Sequence, residues 1–325
     1  MRNKLLFAWL FVANSLLFAQ KTPKLPIIKP KDIEKLAVME DSMAQLAAIA
    51  VWDTTAGKDE IRRNAGEQLN LVFAEALKTN GSFAYRFEKL QNVSIQYPSD
   101  YSFRIITFQT FINRNEFKYF GYIQYNQTKS KFFVLKDQSA SLLTAENEVL
   151  NPDKWFGCVY YKLKEFKSQD GMKYLLFGFN AKDDYEKVKL CDVLTLKGNK
   201  ITFGAPVFTT KPQDHKKQTI TKRLIQIYSS EAAMRFNYDE EMGMIVYDHL
   251  MPGTSRNPDI PYVQVPDGTY EAFLLKKGVW EYIEQLPNTP MREAPREMPV
   301  LEKKARVVNK ENARLFKFPE QSQQN

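Results

Sequence analysis

Apolar residues recur at three- and four-residue spacing over the first part of this chain and at every second residue later on. Ile33, Leu36, Met39, Met43, Leu46, Ala47 and Ala50 mark one buried face of a helix that Asp32 caps and that runs to about Trp52. Beyond Gly57, the residues Ile61, Ala65, Leu69, Val72, Phe73, Ala76 and Leu77 fall on one side of a second helix, which Asn80-Gly81 stops. The spacing predicts a helical hairpin over residues 32–80, packed on the rest of the chain. From Phe83 the period changes to two. Phe103–Ile112 and Phe117–Tyr125 read as strands around a polar turn at Asn113–Glu116. Cys158–Phe166 pairs with Tyr174–Phe179, and Lys187–Leu196 pairs with Ile201–Phe208 across Lys197–Lys200. Leu224–Tyr228, Met234–Tyr238 and Met244–His249 come next, then Tyr270–Leu275 and Val279–Ile283 around Lys276–Gly278. Such short, aromatic and β-branched segments with regular turn signals predict antiparallel hairpins over residues 83–287, as a sandwich or a propeller-like array. No helices alternate with them, which disfavours a parallel α/β layout.

The two ends depart from this pattern. Residues 1–20 carry Arg2 and Lys4, then an apolar run from Leu5 to Phe18 with a plausible cleavage point after Ala19. This is the layout of a secretory signal peptide, and the run is shorter than the ~20 residues a spanning helix needs. The mature chain is therefore expected to carry no transmembrane span. Residues 21–31 hold three prolines and read as an extended linker, and residues 288–325 read as a basic, proline-containing tail.

Composition adjusts this picture in two ways. Aromatic residues make up 13% of the 325 positions, which excludes global disorder, and two cysteines exclude a disulfide framework. The formal charge of +8 falls to +6 without Arg2 and Lys4. From Met291 onward eight basic residues stand against five acidic ones, so the tail supplies half of that remainder and the folded body is only mildly basic. Nucleic acid is thereby disfavoured as a partner, and in an exported protein envelope proteins are the expected ones. Only two histidines occur, His215 and His249, which narrows the routes to imidazole catalysis or zinc.

A series of motifs runs through the β-rich region: Tyr160–Leu163, Tyr174–Asn180, Asp192–Leu194, Phe203–Phe208, Met234–Asp239, Met244–Leu250, Pro266–Phe273 and Gly278–Trp280. Their order over residues 85–286 resembles an uncharacterised family of exported, β-rich proteins from Bacteroidota. The resemblance implies a β-rich fold and export, and carries over no catalytic residue. Members commonly have Trp-Asp where this chain has Phe179-Asn180, and an aliphatic residue where it has Cys191. The chain end lacks the glycine-rich sorting domain of type IX secretion cargo, so the expected location is the periplasm or the outer-membrane periphery.

Several residues could carry chemistry. Lys118–Tyr125 matches the RNA-recognition octamer at all but one position, although an aromatic strand in an ordinary sheet has the same letters. Asp248-His249 is an acid–histidine neighbour pair, but adjacent residues of a strand face opposite sides of a sheet. His215 sits in a basic loop whose simplest reading is solvation. The acidic groups Asn180, Asp183, Asp184, Glu186 and Asp239, Glu240, Glu241 lack calcium-loop spacing, and no metal or cofactor motif occurs. Asp41-Ser42-Met43 and Asp53-Thr54-Thr55 resemble short O-glycosylation sequons of Bacteroidota. Cys158 and Cys191 could bridge in an oxidising compartment; the resemblance, which spares a cysteine at the second place, favours two free thiols.

These features favour a non-catalytic interaction or structural protein of the envelope, with the helical hairpin and tail as contact parts. The rivals are a glycan or peptide hydrolase working through loop carboxylates, and a carbohydrate or small-ligand binding module that displays Trp155 or Trp280.

Overall fold

The computed structural model describes residues 24–211, 219–284 and 286. The expected signal peptide, His215 and the tail lie outside the described residues. The fold is mainly β with two helices in front. Helix α1 (Pro30–Ala47) starts two residues before Asp32: Pro30 occupies the first turn, where its missing N–H leaves no bond unmade. Asp32 therefore lies inside the first turn, where its charge meets the positive end of the helix. A π-helical turn carries the chain on to Trp52, and α2 (Asp59–Lys78) comes after it. No described helix is long and apolar enough to cross a membrane.

The expected inner faces hold except at their first positions. Ile33 and Ile61 are exposed, while Glu40 and Arg62 are buried. Glu40 accepts hydrogen bonds from Tyr85 Oη at 2.7 Å and Lys89 N at 2.6 Å. Arg62 donates to the carbonyls of Ile112 and Thr55 and to Asp59, and its guanidinium lies over Phe111. These partners make burial tolerable for groups that a hydropathy pattern places outside.

The first sheet is an antiparallel meander of β1 (Val93–Gln96), β2 (Phe103–Asn113), β3 (Glu116–Tyr125) and β4 (Phe132–Leu135). In the second, β5 (Val159–Ser168), β6 (Gly171–Asn180) and β7 (Glu186–Lys197) run in sequence, and β8 (Lys200–Phe203) pairs with the end of β7. The expected Ile201–Phe208 strand breaks after Phe203, because Gly204 takes φ +93°. Beyond the break, β9 (Phe208–Thr209) and β10 (Ile220–Thr221) open a third sheet, and β11 (Leu224–Ser229) returns to the free side of β7. The third sheet is completed by β12 (Phe236–Asp239), β13 (Met244–Thr254), β14 (Tyr262–Lys276) and β15 (Val279–Ile283), in the order β10-β9-β15-β14-β13-β12. Its β15–β9 contact is parallel; the others are antiparallel.

The sheets stack in series. Helix residues Leu69 and Phe73 share a core with Ile106, Phe108 and Tyr122 of the first sheet. Ile105, Tyr119 and Ile123, on its other face, pack against Leu176, Val188 and Leu190 of the second. Leu175, Phe177 and Val193 then meet Ile245, Phe273 and Trp280 of the third. Because both faces of the first and second sheets are covered, β2 and β7 are buried on both sides, polar Arg104, Lys189 and Asp192 included. Helices cover the outer face of the first sheet, so no further blade packs there. The arrangement is layered, and the ring of a propeller is not formed.

Candidate functional site

The most concentrated polar chemistry lies where β13 and β14 fall out of step. Tyr247 pairs with Glu271 and Asp248 with Tyr270, but the next pair is Leu250 with Pro266. His249 therefore stands opposite three residues, Asp267, Gly268 and Thr269, in a bulge of the kind that re-aims side chains. Gly268 has φ +88°, a conformation that favours glycine. Asp267 Oδ1 accepts from both Thr269 N, at 2.9 Å, and Thr269 Oγ1, at 2.8 Å, which closes the bulge. Its other oxygen lies 2.8 Å from His249 Nδ1. Hydrogen bonds from Thr269, then from His249, hold the Asp267 carboxyl down at about 2. An ionised carboxylate only accepts, so Nδ1 carries a proton; Nε2 is an acceptor in the neutral ring and a second donor in the protonated one.

That nitrogen faces Glu271, whose Oε1 is 3.9 Å away. Glu271 is 8% exposed. Burial works against its ionisation, but hydrogen bonds from Lys211, Tyr282 and Tyr247 outweigh this and hold it below the usual carboxylate range. Lys211 Nζ lies at 2.6 Å and Tyr282 Oη at 2.7 Å from the same oxygen. Burial first, and the adjoining anion second, push the Tyr247 hydroxyl far above the ordinary phenol value.

Of these groups, Lys211, Tyr247, His249 and Glu271 line a cleft of about 370 Å³, within the size range of small-molecule sites, roughly 300–1,000 Å³. Gln226 and Ile227 of the edge strand β11 line it as well, together with Leu250 and Gln264 of the β13–β14 ribbon. The cleft thus opens where the second sheet meets the third.

The acid–histidine couple differs from the one that sequence adjacency suggests. Asp248 points to the other face, where it accepts from Arg235 N at 2.5 Å, and Asp267 supplies the carboxylate across the bulge. His215 lies outside the described residues. Trp155 and Trp280 are 0% and 1% exposed, each within a core, so neither can present a ring to a ligand. In Lys118–Tyr125, Tyr119, Phe120 and Tyr122 are buried, Tyr119 toward the second sheet and Tyr122 toward the helices, and Tyr125 is half-buried, which leaves no open row of rings for bases.

The acidic groups are structural. Asp183 accepts from Tyr185 N and Glu186 N, Lys182 bridges Asp183 and Glu186, and Asp184 pairs with Arg114 at 3.8 Å. Asn180 holds the carbonyl of Gly157 and the Lys182 N–H. Asp239 caps its turn through Glu241 N and Met242 N, and Glu240 pairs with Lys162 and Lys164. Among the described residues no three His, Cys, Asp or Glu side chains converge as a metal site. Asp53, beside Thr54, caps Thr55 N and pairs with Lys58, and Ser42 lies exposed on α1 with its hydroxyl on the Val38 carbonyl.

Cys158 and Cys191 are free, buried thiols, so the bridge considered from the sequence is not formed. They lie on opposite faces of the second sheet, Cys158 toward the first sheet and Cys191 toward the third. Burial pushes both thiols well above their ordinary value.

No family model matches the chain, and no curated protein or solved structure matches it significantly. The residues that sequence reasoning missed are Asp267, Glu271, Lys211 and the two glutamines. The signal for Asp267 was present in Pro266-Asp267-Gly268-Thr269, a turn sequence inside an otherwise strand-like run. Glu271 was marked only by being an acid between apolar strand residues.

Proposed function

We propose that this chain is an exported protein of the periplasm or outer-membrane periphery that works without catalysis, by binding an envelope component in the cleft around His249 and Glu271. The N-terminal charge and apolar pattern supports export. The observation that carries the binding reading is the state of the cleft's ionised groups. Glu271 is held by Lys211, Tyr282 and Tyr247, and Asp267 by Thr269 and His249, so neither carboxyl is kept protonated as a general acid. Among the described residues lining the cleft, the one hydroxyl is that of Tyr247, which is bound to Glu271 and resists ionisation. An arrangement so fully neutralised recognises a ligand better than it activates one.

One observation favours the hydrolase as a second reading. An aspartate-oriented imidazole lining a cleft is the geometry of a general base. Incubation of purified protein with solubilised envelope polymers separates the two. Retention of intact polymer, weakened by Glu271→Gln, is expected; turnover that Glu271→Gln abolishes would overturn the binding reading.

A further inference from the structure

We infer that the cleft recognises an uncharged, hydroxyl-rich ligand, a short stretch of neutral saccharide. This rests on the binding function proposed for the cleft and names its ligand. The inference comes from which polar groups in the cleft remain free. Lys211 and Glu271 neutralise each other at 2.6 Å, and the Asp267 charge is taken up by Thr269 and His249. The side-chain amides of Gln226 and Gln264 make no hydrogen bond to a described residue, and His249 Nε2 has only the 3.9 Å approach to Glu271. What the cleft offers is therefore two amides, each a donor and an acceptor, and one imidazole nitrogen. None of these discriminates in favour of a charge. A hydroxyl is the complementary group, because it both donates and accepts and so pairs with an amide and with the imidazole nitrogen, protonated or not. Neighbouring hydroxyls on a sugar ring present several such groups at close spacing.

A second feature agrees. Tyr262 lies two residues before Gln264 on β14, so both side chains stand on the same face of the ribbon, roughly 7 Å apart along the strand. Tyr262 is 72% exposed. A pyranose bound beyond the cleft would lay its C–H face on this ring, which extends the polar site by an apolar platform. An anionic glycan gains nothing here, since Lys211 is committed to Glu271.

The test is calorimetric titration of the full chain with three ligand sets: neutral gluco- and chito-oligosaccharides of two to five units, oligouronates of the same length, and uncharged pentapeptides. Binding of a neutral oligosaccharide is expected. The Gln226→Ala/Gln264→Ala double variant is expected to weaken it at least tenfold with an unchanged melting temperature. Tyr262→Ala is expected to weaken the longer oligomers more than the disaccharides. Preference for oligouronates or peptides would overturn the saccharide assignment while leaving a binding cleft. Cleavage of the oligosaccharide during titration would overturn the non-catalytic reading instead, and failure of all three sets to bind would overturn both.

Discussion

Asp267 fixes the proton on His249, so its own titration is the residue-scale check on the site. Two Thr269 bonds come first among the causes that hold it down. Carboxyl NMR is expected to place its midpoint near 2, and Thr269→Val, which removes the Oγ1 donor, is expected to raise it toward the ordinary 3.8. Because the folded value is the lower one, any stability Asp267 contributes is complete above about pH 4 and is lost as pH falls toward 2. A midpoint at the ordinary value would show that the Thr269 and His249 hydrogen bonds do not hold the carboxylate. A second residue-scale expectation concerns Asp192 and Arg223, both fully buried with Nε and Oδ2 2.9 Å apart. Arg223 also donates to Ala145 O, and Asp192 accepts from Val193 N. Asp192→Asn leaves an unpaired buried cation and is expected to cost roughly 3–5 kcal/mol in denaturant unfolding. A change below about 1 kcal/mol would show that water reaches the guanidinium.

One close approach between elements lies at Gly178 of β6, beside Cys158 just before β5. A Cβ on Gly178 would lie 2.6 Å from Cys158 Sγ and 3.1 Å from Leu190 Cδ2. Gly178→Ala is expected to destabilise by roughly 1–3 kcal/mol through overpacking. Cys158→Ala removes the obstructing sulfur, so the double variant is expected to be more stable than the sum of the single effects requires; strict additivity would place the clash elsewhere. The elements themselves were largely legible. Both helices and the hairpin turns at Asn113–Glu116, Lys197–Lys200 and Lys276–Gly278 come from local period and turn chemistry, which act over a few residues. The short edge strands β1 and β4 were not legible, because four residues give too little alternation. Neither was the ribbon beyond His249, where Pro252, Gly253 and Pro266 mask strand character. The site escaped for a related reason. Sequence shows Asp248 beside His249, but the bulge that brings Asp267 to the imidazole is a property of cross-strand register, and Lys211 and Gln226 arrive from distant parts of the chain. The buried Arg62 and Glu40 escaped because their partners are backbone and side-chain groups supplied by other elements.

At the scale of the whole molecule, four layers share three cores, and the cleft sits at the seam between the second and third sheets. Its lining comes from β11 of one sheet and from the bulged β13–β14 ribbon of the other. Such placement suits recognition, since the polar groups are positioned before a ligand arrives. The scarcity of histidine, which first argued against imidazole chemistry, becomes an experimental advantage. With only His215 and His249 in the chain, isotope-labelled histidine gives two imidazole signals, and His249→Gln assigns one of them. The decisive measurement is the NMR spectrum of His-labelled protein during addition of soluble envelope polymer fragments. The expected result is a saturable shift of the His249 Nε2 resonance while the fragments' own signals show no new chain ends. An unmoved His249 signal at saturating fragment, or the appearance of cleaved fragments, would contradict a binding cleft built around this residue.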